Sequence, residues 1–157
     1  MVRHFFTASP ELSLAGATLS LRTAAASLEL LDREVATPDL SLTGRQWMID
    51  TLVQNGAASN IPGDILAVLS FDTDGKLSVF DGCNNGGANY TRSGQTLTLS
   101  SVSFDERACD GTRSTEAGIH AVIVAGELSF EIDANRLTLT RGGSGLSAVT
   151  EGTLGEP

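Results

Sequence analysis

Apolar and polar side chains alternate in several short segments of the chain, and this period of two indicates β-strands. The alternation is complete in residues 96–100, Thr-Leu-Thr-Leu-Ser. It returns in residues 128–132 and 137–140, which are separated by the turn-prone residues 133–135, Asp-Ala-Asn. We therefore predict one strand at 96–100 and a pair of strands joined by a short turn near residue 134.

Two further apolar segments, residues 65–71 and 77–80, flank the sequence Asp72-Thr73-Asp74-Gly75. Glycine readily adopts the positive φ that a tight turn requires, so Gly75 favours a β-hairpin here. The two aspartates could suggest calcium, but the spacing of glycine and glutamate in an EF-hand loop is absent.

One segment follows the period of a helix instead. Its apolar side chains fall at i, i+3 and i+4: Ile119, Val122 and Ile123. We expect Asp110 or Ser114 to cap this helix and Gly126 to close it. One helix among antiparallel strands predicts an α+β, mostly β domain, with a small, barrel-like antiparallel sheet.

The beginning of the chain repeats the pattern of its end at a constant distance of 118 residues. The aligned pairs are Leu12 and Phe130, Leu14 and Ile132, Leu19 and Leu137, Leu21 and Leu139, and Leu28 and Leu146. This suggests that residues 1–31 are the last strands of a preceding copy, although any two alternating leucine strands align to some degree. We expect residues 1–31 to form strands that pack within the chain, with pairing to another molecule as the alternative.

The chain thus divides into three predicted parts. A β-rich extension with its linker occupies residues 1–39, in which Pro38 interrupts regular structure. The main domain follows at 40–151, and residues 152–157 form a tail.

Composition narrows the function of the 157-residue chain. Its formal net charge is −9, with no cluster of basic residues, which argues against nucleic acid and against anionic membrane surfaces as partners. No apolar run reaches the roughly 18–20 residues that span a bilayer. The first residues also lack the apolar segment of a signal peptide.

Several landmarks occur in the main domain in a fixed order: Leu42-Thr43-Gly44-Arg45-Gln46-Trp47, Gly82-Cys83-Asn84 with Tyr90, Ala108-Cys109, the helix near Ile119, and Leu137-Thr138-Leu139. In this order they resemble the META (HslJ-like) family. The chain departs from the family pattern at Ala88, where glycine is usual, and at Asp105, where threonine is usual.

The resemblance implies a small β-rich domain with one helix, usually exported and often carried on bacterial lipoproteins of the cell envelope with roles in stress. It also implies a disulfide between Cys83 and Cys109, because both cysteines stand at family landmarks. In the cytosol the same two residues would be reduced, buried thiols.

The remaining landmark residues are interpreted as structural: Trp47, Gly82, Asn84, Gly86, Gly87 and Tyr90. We expect the three glycines to have unusual dihedral angles or to permit a bulge. We expect Asn84 to bond neighbouring backbone groups. The two aromatic rings are expected in the core, with a ligand groove as the alternative for one of them.

No catalytic, cofactor or metal site is predicted. The two cysteines and the two histidines, His4 and His120, lack zinc-ligand spacing. A cysteine nucleophile would need His120 as its base, which is the less favoured interpretation. The leading hypothesis is a non-enzymatic module of an exported or envelope protein that binds a protein partner or gives structural support. The alternative is a carrier of a small apolar molecule or lipid, and an enzyme comes third.

Overall fold

The computed structural model describes residues 2–151, so the predicted tail at 152–157 lies outside the described residues. The chain forms two compact units, one of residues 1–39 and one that begins at Leu40. Each unit is described by itself below.

The N-terminal unit is a three-stranded antiparallel sheet between two short helices. Its elements are α1 (Val2–Thr7), β1 (Glu11–Ala15), β2 (Thr18–Arg22), β3 (Ser27–Leu31) and α2 (Arg33–Ala36). The strands pair in the order β1-β2-β3. Asp32 caps α2, since its side chain accepts a hydrogen bond from the backbone N–H of Glu34. The expected strands are therefore present, together with a helix at 2–7 that the sequence pattern did not predict.

The second unit is a closed antiparallel barrel of eight strands with one appended strand and one helix. Its elements are β4 (Gln46–Gln54), β5 (Ala57–Asn60), β6 (Val68–Phe71), β7 (Lys76–Phe80), β8 (Asn85–Ser93), β9 (Thr96–Phe104), α3 (Arg113–Val122), β10 (Gly126–Asp133), β11 (Arg136–Arg141) and β12 (Ser144–Val149). Pairing of β12 with β4 closes the barrel. The opposite side of β4 pairs first with β6 and then with β5, so β5 lies outside the ring.

Side chains fill the interior of the barrel. The largest fully buried ones come from nearly every strand and from the helix: Trp47, Phe71, Leu69, Leu77, Leu97, Leu99, Ile119, Ile123, Leu137, Leu139, Leu146 and Val122. Helix α3 packs against β4, β11 and β12. At Gly118 a Cβ atom would lie 2.6 Å from the Leu52 side chain, so glycine permits this close approach of helix to strand.

The mostly β fold class is confirmed, and so is the hairpin of β6 and β7, in which Gly75 has φ +79. Strand β6 begins at Val68 because residues 62–65 form a turn, with the N–H of Ile65 donating to the carbonyl of Pro62. The expected helix ends were wrong. The N-cap of α3 is Thr112, and Gly126, with φ +113, opens β10.

Candidate functional site

A covalent link anchors the segment that follows β7. Cys83 and Cys109 form a disulfide with their Cα atoms 6.0 Å apart, which confirms the predicted pairing. It closes a 26-residue separation that includes β8 and β9. The bond therefore joins the loop before β8 to the loop after β9.

Asp81 organises the same loop from inside. Its side chain is fully buried, and its Oδ1 accepts hydrogen bonds from the backbone N–H groups of Cys83, at 3.0 Å, and Asn84, at 2.6 Å. Its Oδ2 lies 2.8 Å from Nε2 of His120 on α3. Asp81 was not among the site residues predicted from the sequence. The available signal was an acidic residue placed directly between a buried strand and the Gly-Cys-Asn motif.

Asn84 joins the two loops by hydrogen bonds. Its Oδ1 accepts from the backbone N–H of Arg107 at 2.7 Å, and its Nδ2 donates to the Arg107 carbonyl at 3.5 Å. The expected bonds to neighbouring backbone groups were therefore wrong, since the partner is 23 residues away. An asparagine amide can satisfy a backbone donor and acceptor together, and here it does so between the two disulfide-linked loops.

The three motif glycines have different roles. Gly82 has φ +100, as expected. Gly86 and Gly87 lie inside β8 without a positive φ, which corrects the expectation of unusual dihedral angles at both. A Cβ atom on Gly86 would meet the Phe104 ring at 2.3 Å, so this glycine makes room for the ring. The expected bulge is present between Gly87 and Asn89, around Ala88.

His120 lies at the rim of this cluster. Its ring is 3.9 Å from the ring of Phe104, centroid to centroid, and its side chain is 39% exposed. The Cys–His nucleophile considered from the sequence is not formed, because the two sulfur atoms are bonded to each other. Among the described residues, no group of three or more His, Cys, Asp or Glu side chains is arranged to hold a metal. The carboxylate that contacts the His120 imidazole also accepts hydrogen bonds from the backbone of the loop after β7.

The two motif aromatics contact the barrel itself. Trp47 is fully buried, and its indole N–H donates to the carbonyl of Leu42 at 2.9 Å. The hydroxyl of Tyr90 donates to the carbonyl of Asp72 at 2.5 Å, and its ring packs edge-on against Phe71. Burial, and then the nearby Asp72 carboxylate, raise the pKa of Tyr90.

An open groove of about 640 Å³ lies on the outside of the barrel, between β4 and the segment that follows β5. Apolar residues of its lining are Met48, Ile49, Ile61, Ile65, Leu66 and Ala67. Polar groups also line it, and among them Arg136 forms an ion pair with Asp50 at 3.0 Å. Met48 and Leu66 are exposed apolar side chains of this groove.

Strand β5 borders the groove through Asn60 and is short and exposed along its whole length. Within residues 2–151, it pairs with β4 alone. Its second edge therefore carries backbone groups that another strand can bond.

Together the fold and these sites define a small closed β-barrel with one packed helix, a disulfide-linked loop pair and an external groove. In the part of the chain that the structure describes, no helix is long and apolar enough to cross a membrane. Residues 40–152 match the family described as META domain, and the chain belongs to this family.

Solved structures support the same fold. The chain is similar to a protein from Burkholderia xenovorans with an NMR structure, at 19% identity and a TM-score of 0.55, over 70% of this chain and 83% of that one. A second protein with an NMR structure is 16% identical, has a TM-score of 0.56 and is covered over 94% of its length by 70% of this chain. The curated proteins include no match.

Proposed function

We propose that this chain is a non-enzymatic META module of an exported or cell-envelope protein and that it binds an extended segment of a protein partner along the groove beside β5. The single observation that carries the proposal is the joint presence of a filled barrel and an open groove, lined by apolar and polar side chains, beside the edge strand β5. A stress-related role would belong to the partner or to the larger assembly.

The filled interior favours binding on the outside of the barrel. Barrels that carry apolar guests keep an internal cavity for them. Here that volume is occupied by side chains such as Trp47, Leu97 and Leu139, each 0% exposed. A guest would have to displace this core, which costs several kcal/mol for each large side chain moved, on the order of a core truncation.

The groove offers the two features that peptide recognition needs. The edge of β5 supplies main-chain donors and acceptors, and the apolar side chains of Met48 and Leu66 supply contact area. The Asp50–Arg136 ion pair is partly exposed at the groove and can fix the orientation of a bound segment more than its affinity. The net charge of −9 favours approach of a neutral or basic partner.

The chemistry of the disulfide cluster supports a non-enzymatic role and an oxidising location. Both sulfurs are consumed by the disulfide, and the His120–Asp81 pair connects α3 to the loop after β7. Disulfides persist in extracytoplasmic compartments and are rare in the cytosol. The cysteine pairing is therefore the feature of this chain that supports export.

A small apolar ligand in the groove is the second candidate, because a volume of about 640 Å³ falls within the usual range of small-molecule sites. Such a ligand would occupy the external groove. The two candidates differ in the length of the ligand and in their dependence on the β5 edge.

The test is selection from a phage-displayed library of unstructured peptides against the whole chain, followed by binding measurements on matched variants. Leu66→Asp places a charge in the groove, where Leu66 is 57% exposed, whereas Val124→Asp places the same charge at a 44% exposed residue outside the groove. We expect selected peptides to bind the wild type and Val124→Asp equally and to lose at least about tenfold in affinity for Leu66→Asp, the effect of roughly 1.4 kcal/mol.

A fluorescent fatty acid titrated in parallel addresses the carrier candidate. Saturable binding that Leu66→Asp abolishes, with no peptide selected, would replace the peptide proposal by the small-ligand one. Peptides that bind both variants equally would place recognition outside the groove.

A further inference from the structure

The N-terminal sheet reproduces the closing strands of the barrel in detail. Strands β1, β2 and β3 stand 118 residues before β10, β11 and β12, and a helix precedes each set. The pairing registers agree at this constant distance. Leu12 faces Leu21 as Phe130 faces Leu139, and the pairs of β2 with β3 match those of β11 with β12 residue for residue.

The turns and the strand ends agree as well. Gly16, with φ +59, stands at the position of Ala134, with φ +54. After β3 the N–H of Asp32 donates to the carbonyl of Ala17, and after β12 the N–H of Thr150 donates to the carbonyl of Asn135 at the same separation. Two alternating hairpins chosen at random would share a period of two, but they would not share registers, a left-handed turn residue and a closing bond.

The same face is apolar in both sheets, but most of it is exposed in the N-terminal sheet. In the barrel the face consists of Phe130, Ile132, Leu137, Leu139, Leu146 and Ala148, all buried or half-buried. The N-terminal sheet carries leucine at each corresponding position: Leu12, Leu14, Leu19, Leu21, Leu28 and Leu30. Of these, four are exposed, Leu19 is half-buried and Leu21 is buried at 6% exposure; the exposed ones are Leu12 (67%), Leu14 (74%), Leu28 (38%) and Leu30 (47%). Each exposed leucine forgoes the stabilisation that burial of its side chain would give.

The two sheets differ in the length of their first strand. Strand β10 starts three residues earlier than its counterpart because its first residues, Gly126–Ser129, pair with β9. In the N-terminal sheet the corresponding part, residues 8–10, is not in a strand. Pro10 occupies the place of Leu128, and since proline has no N–H, a β9-type neighbour would form one hydrogen bond fewer there.

From this congruence we infer that the leucine face of β1–β3 is a docking surface for a META half barrel, that is, for a segment equivalent to β4–β9 and α3 with its β4 and β9 edges open. The sheet would close that half barrel as β10–β12 close the barrel here. The occupant follows from the registers that the two sheets share, since β10 and β12 of the barrel pair with β9 and β4, and from the leucines at the positions that face the barrel core. This inference is independent of the groove function proposed above.

The described residues contain one such half barrel, so the fit can be tested by paired substitutions. Leu137→Asp with Leu139→Asp expels β11 from the core, where both leucines are 0% exposed. Leu19→Asp with Leu21→Asp makes the same change in the N-terminal sheet. In the barrel, Val149 at the end of β12 pairs with Met48 near the start of β4. If β3 took the place of β12, its end would therefore lie close to the start of β4. Residues 32–45, at about 3.3 Å per residue, are long enough to make this connection.

The readouts are burial of Trp47, from its fluorescence, and amide exchange of β1–β3 and β10–β12. We expect the Leu137/Leu139 variant to keep Trp47 buried, with β1–β3 becoming protected and β10–β12 exposed. We expect the four-site variant to lose Trp47 burial completely and the Leu19/Leu21 variant to keep it. If the Leu137/Leu139 variant unfolds as fully as the four-site variant, even at high protein concentration, the inference is overturned.

The competing occupant is a second copy of the same sheet, and light scattering on the unmodified chain and on two single variants tests for it. A dimer that dissociates on Leu14→Asp but persists on Ser13→Asp, a change on the polar face of the same strand, would assign the leucine face to a second copy of the sheet and overturn the half-barrel assignment. A monomer in both cases agrees with the inference.

Discussion

Replacing Asp81 by alanine removes the acceptor on which the Gly-Cys-Asn loop depends. The carboxylate is 0% exposed, and one of its oxygens serves two backbone N–H groups, those of Cys83 and Asn84. Each buried donor left without an acceptor costs about 1–3 kcal/mol. Loss of the second oxygen also leaves His120 without its partner.

We therefore expect Asp81→Ala to lower the free energy of unfolding by about 2–6 kcal/mol, the sum for the two backbone N–H groups left without an acceptor. Two matched variants divide this effect. Asp81→Asn retains an oxygen for both N–H groups and changes only the atom that faces His120. His120→Ala removes a half-exposed partner, so we expect about 1 kcal/mol for each of these two variants.

The assay is urea unfolding followed by the fluorescence of Trp47, which is the single tryptophan of the chain and is fully buried. Small domains have a total stability of about 5–15 kcal/mol, so the Asp81→Ala transition should fall to markedly lower urea or be partly complete in buffer. An Asp81→Ala variant no less stable than His120→Ala would refute the reasoning, since it would show that the two N–H groups find other acceptors.

Three further predictions concern the same barrel. Reduction of the Cys83–Cys109 bond should lower the free energy of unfolding by about 3–4 kcal/mol on the chain-entropy model. The measurement is the shift in the urea midpoint on addition of a phosphine reductant. No shift would mean that the unfolded chain is equally restricted without the bond. Gly86→Ala should lower the free energy of unfolding by about 1–3 kcal/mol because the added Cβ would overlap the ring of Phe104 in β9. Gly63→Ala is the control and should be close to neutral, since no atom lies within 4 Å of its added Cβ. Equal effects of the two substitutions on the urea midpoint would contradict the steric argument. Because the pKa of Tyr90 is raised, the folded state holds the phenol proton more tightly than the unfolded state, and the resulting stability is fully present below pH 10 and is lost as the pH rises through the folded-state pKa. In thermal melts above pH 10, Tyr90→Phe should therefore lose less stability with rising pH than the wild type. An unchanged alkaline slope would assign the loss to other groups.

Much of the barrel could be predicted from local patterns. Residues 96–100, 128–132 and 137–140 alternate because one face of each strand meets the core and the other meets water, and this periodicity is written in the sequence itself. The hairpin at Gly75 follows from its local turn geometry. The helix was found from its apolar spacing, but its ends were not, because Thr112 becomes the N-cap without any side-chain capping bond that would favour it over Asp110 or Ser114.

Other features exist only in the folded chain. Strand β8 contains Asn-Gly-Gly-Ala and has no alternating signal, and it is a strand because β7 and β9 pair with it on both sides. Asp81 depends on His120, which lies 39 residues further along the chain, and Asn84 depends on Arg107. The groove beside β5 is formed where β4 changes partner from β6 to β5.

The sequence by itself determined the strands whose residues alternate, the apolar face of each of them, and the internal echo between the two ends of the chain, because these properties belong to neighbouring residues. The tertiary structure alone decided the buried bonds of Asp81, the position of the groove and the register-for-register identity of the two sheets. Those depend on which distant segments the closed barrel brings within hydrogen-bonding distance, and the period of a single strand carries no information about its partner.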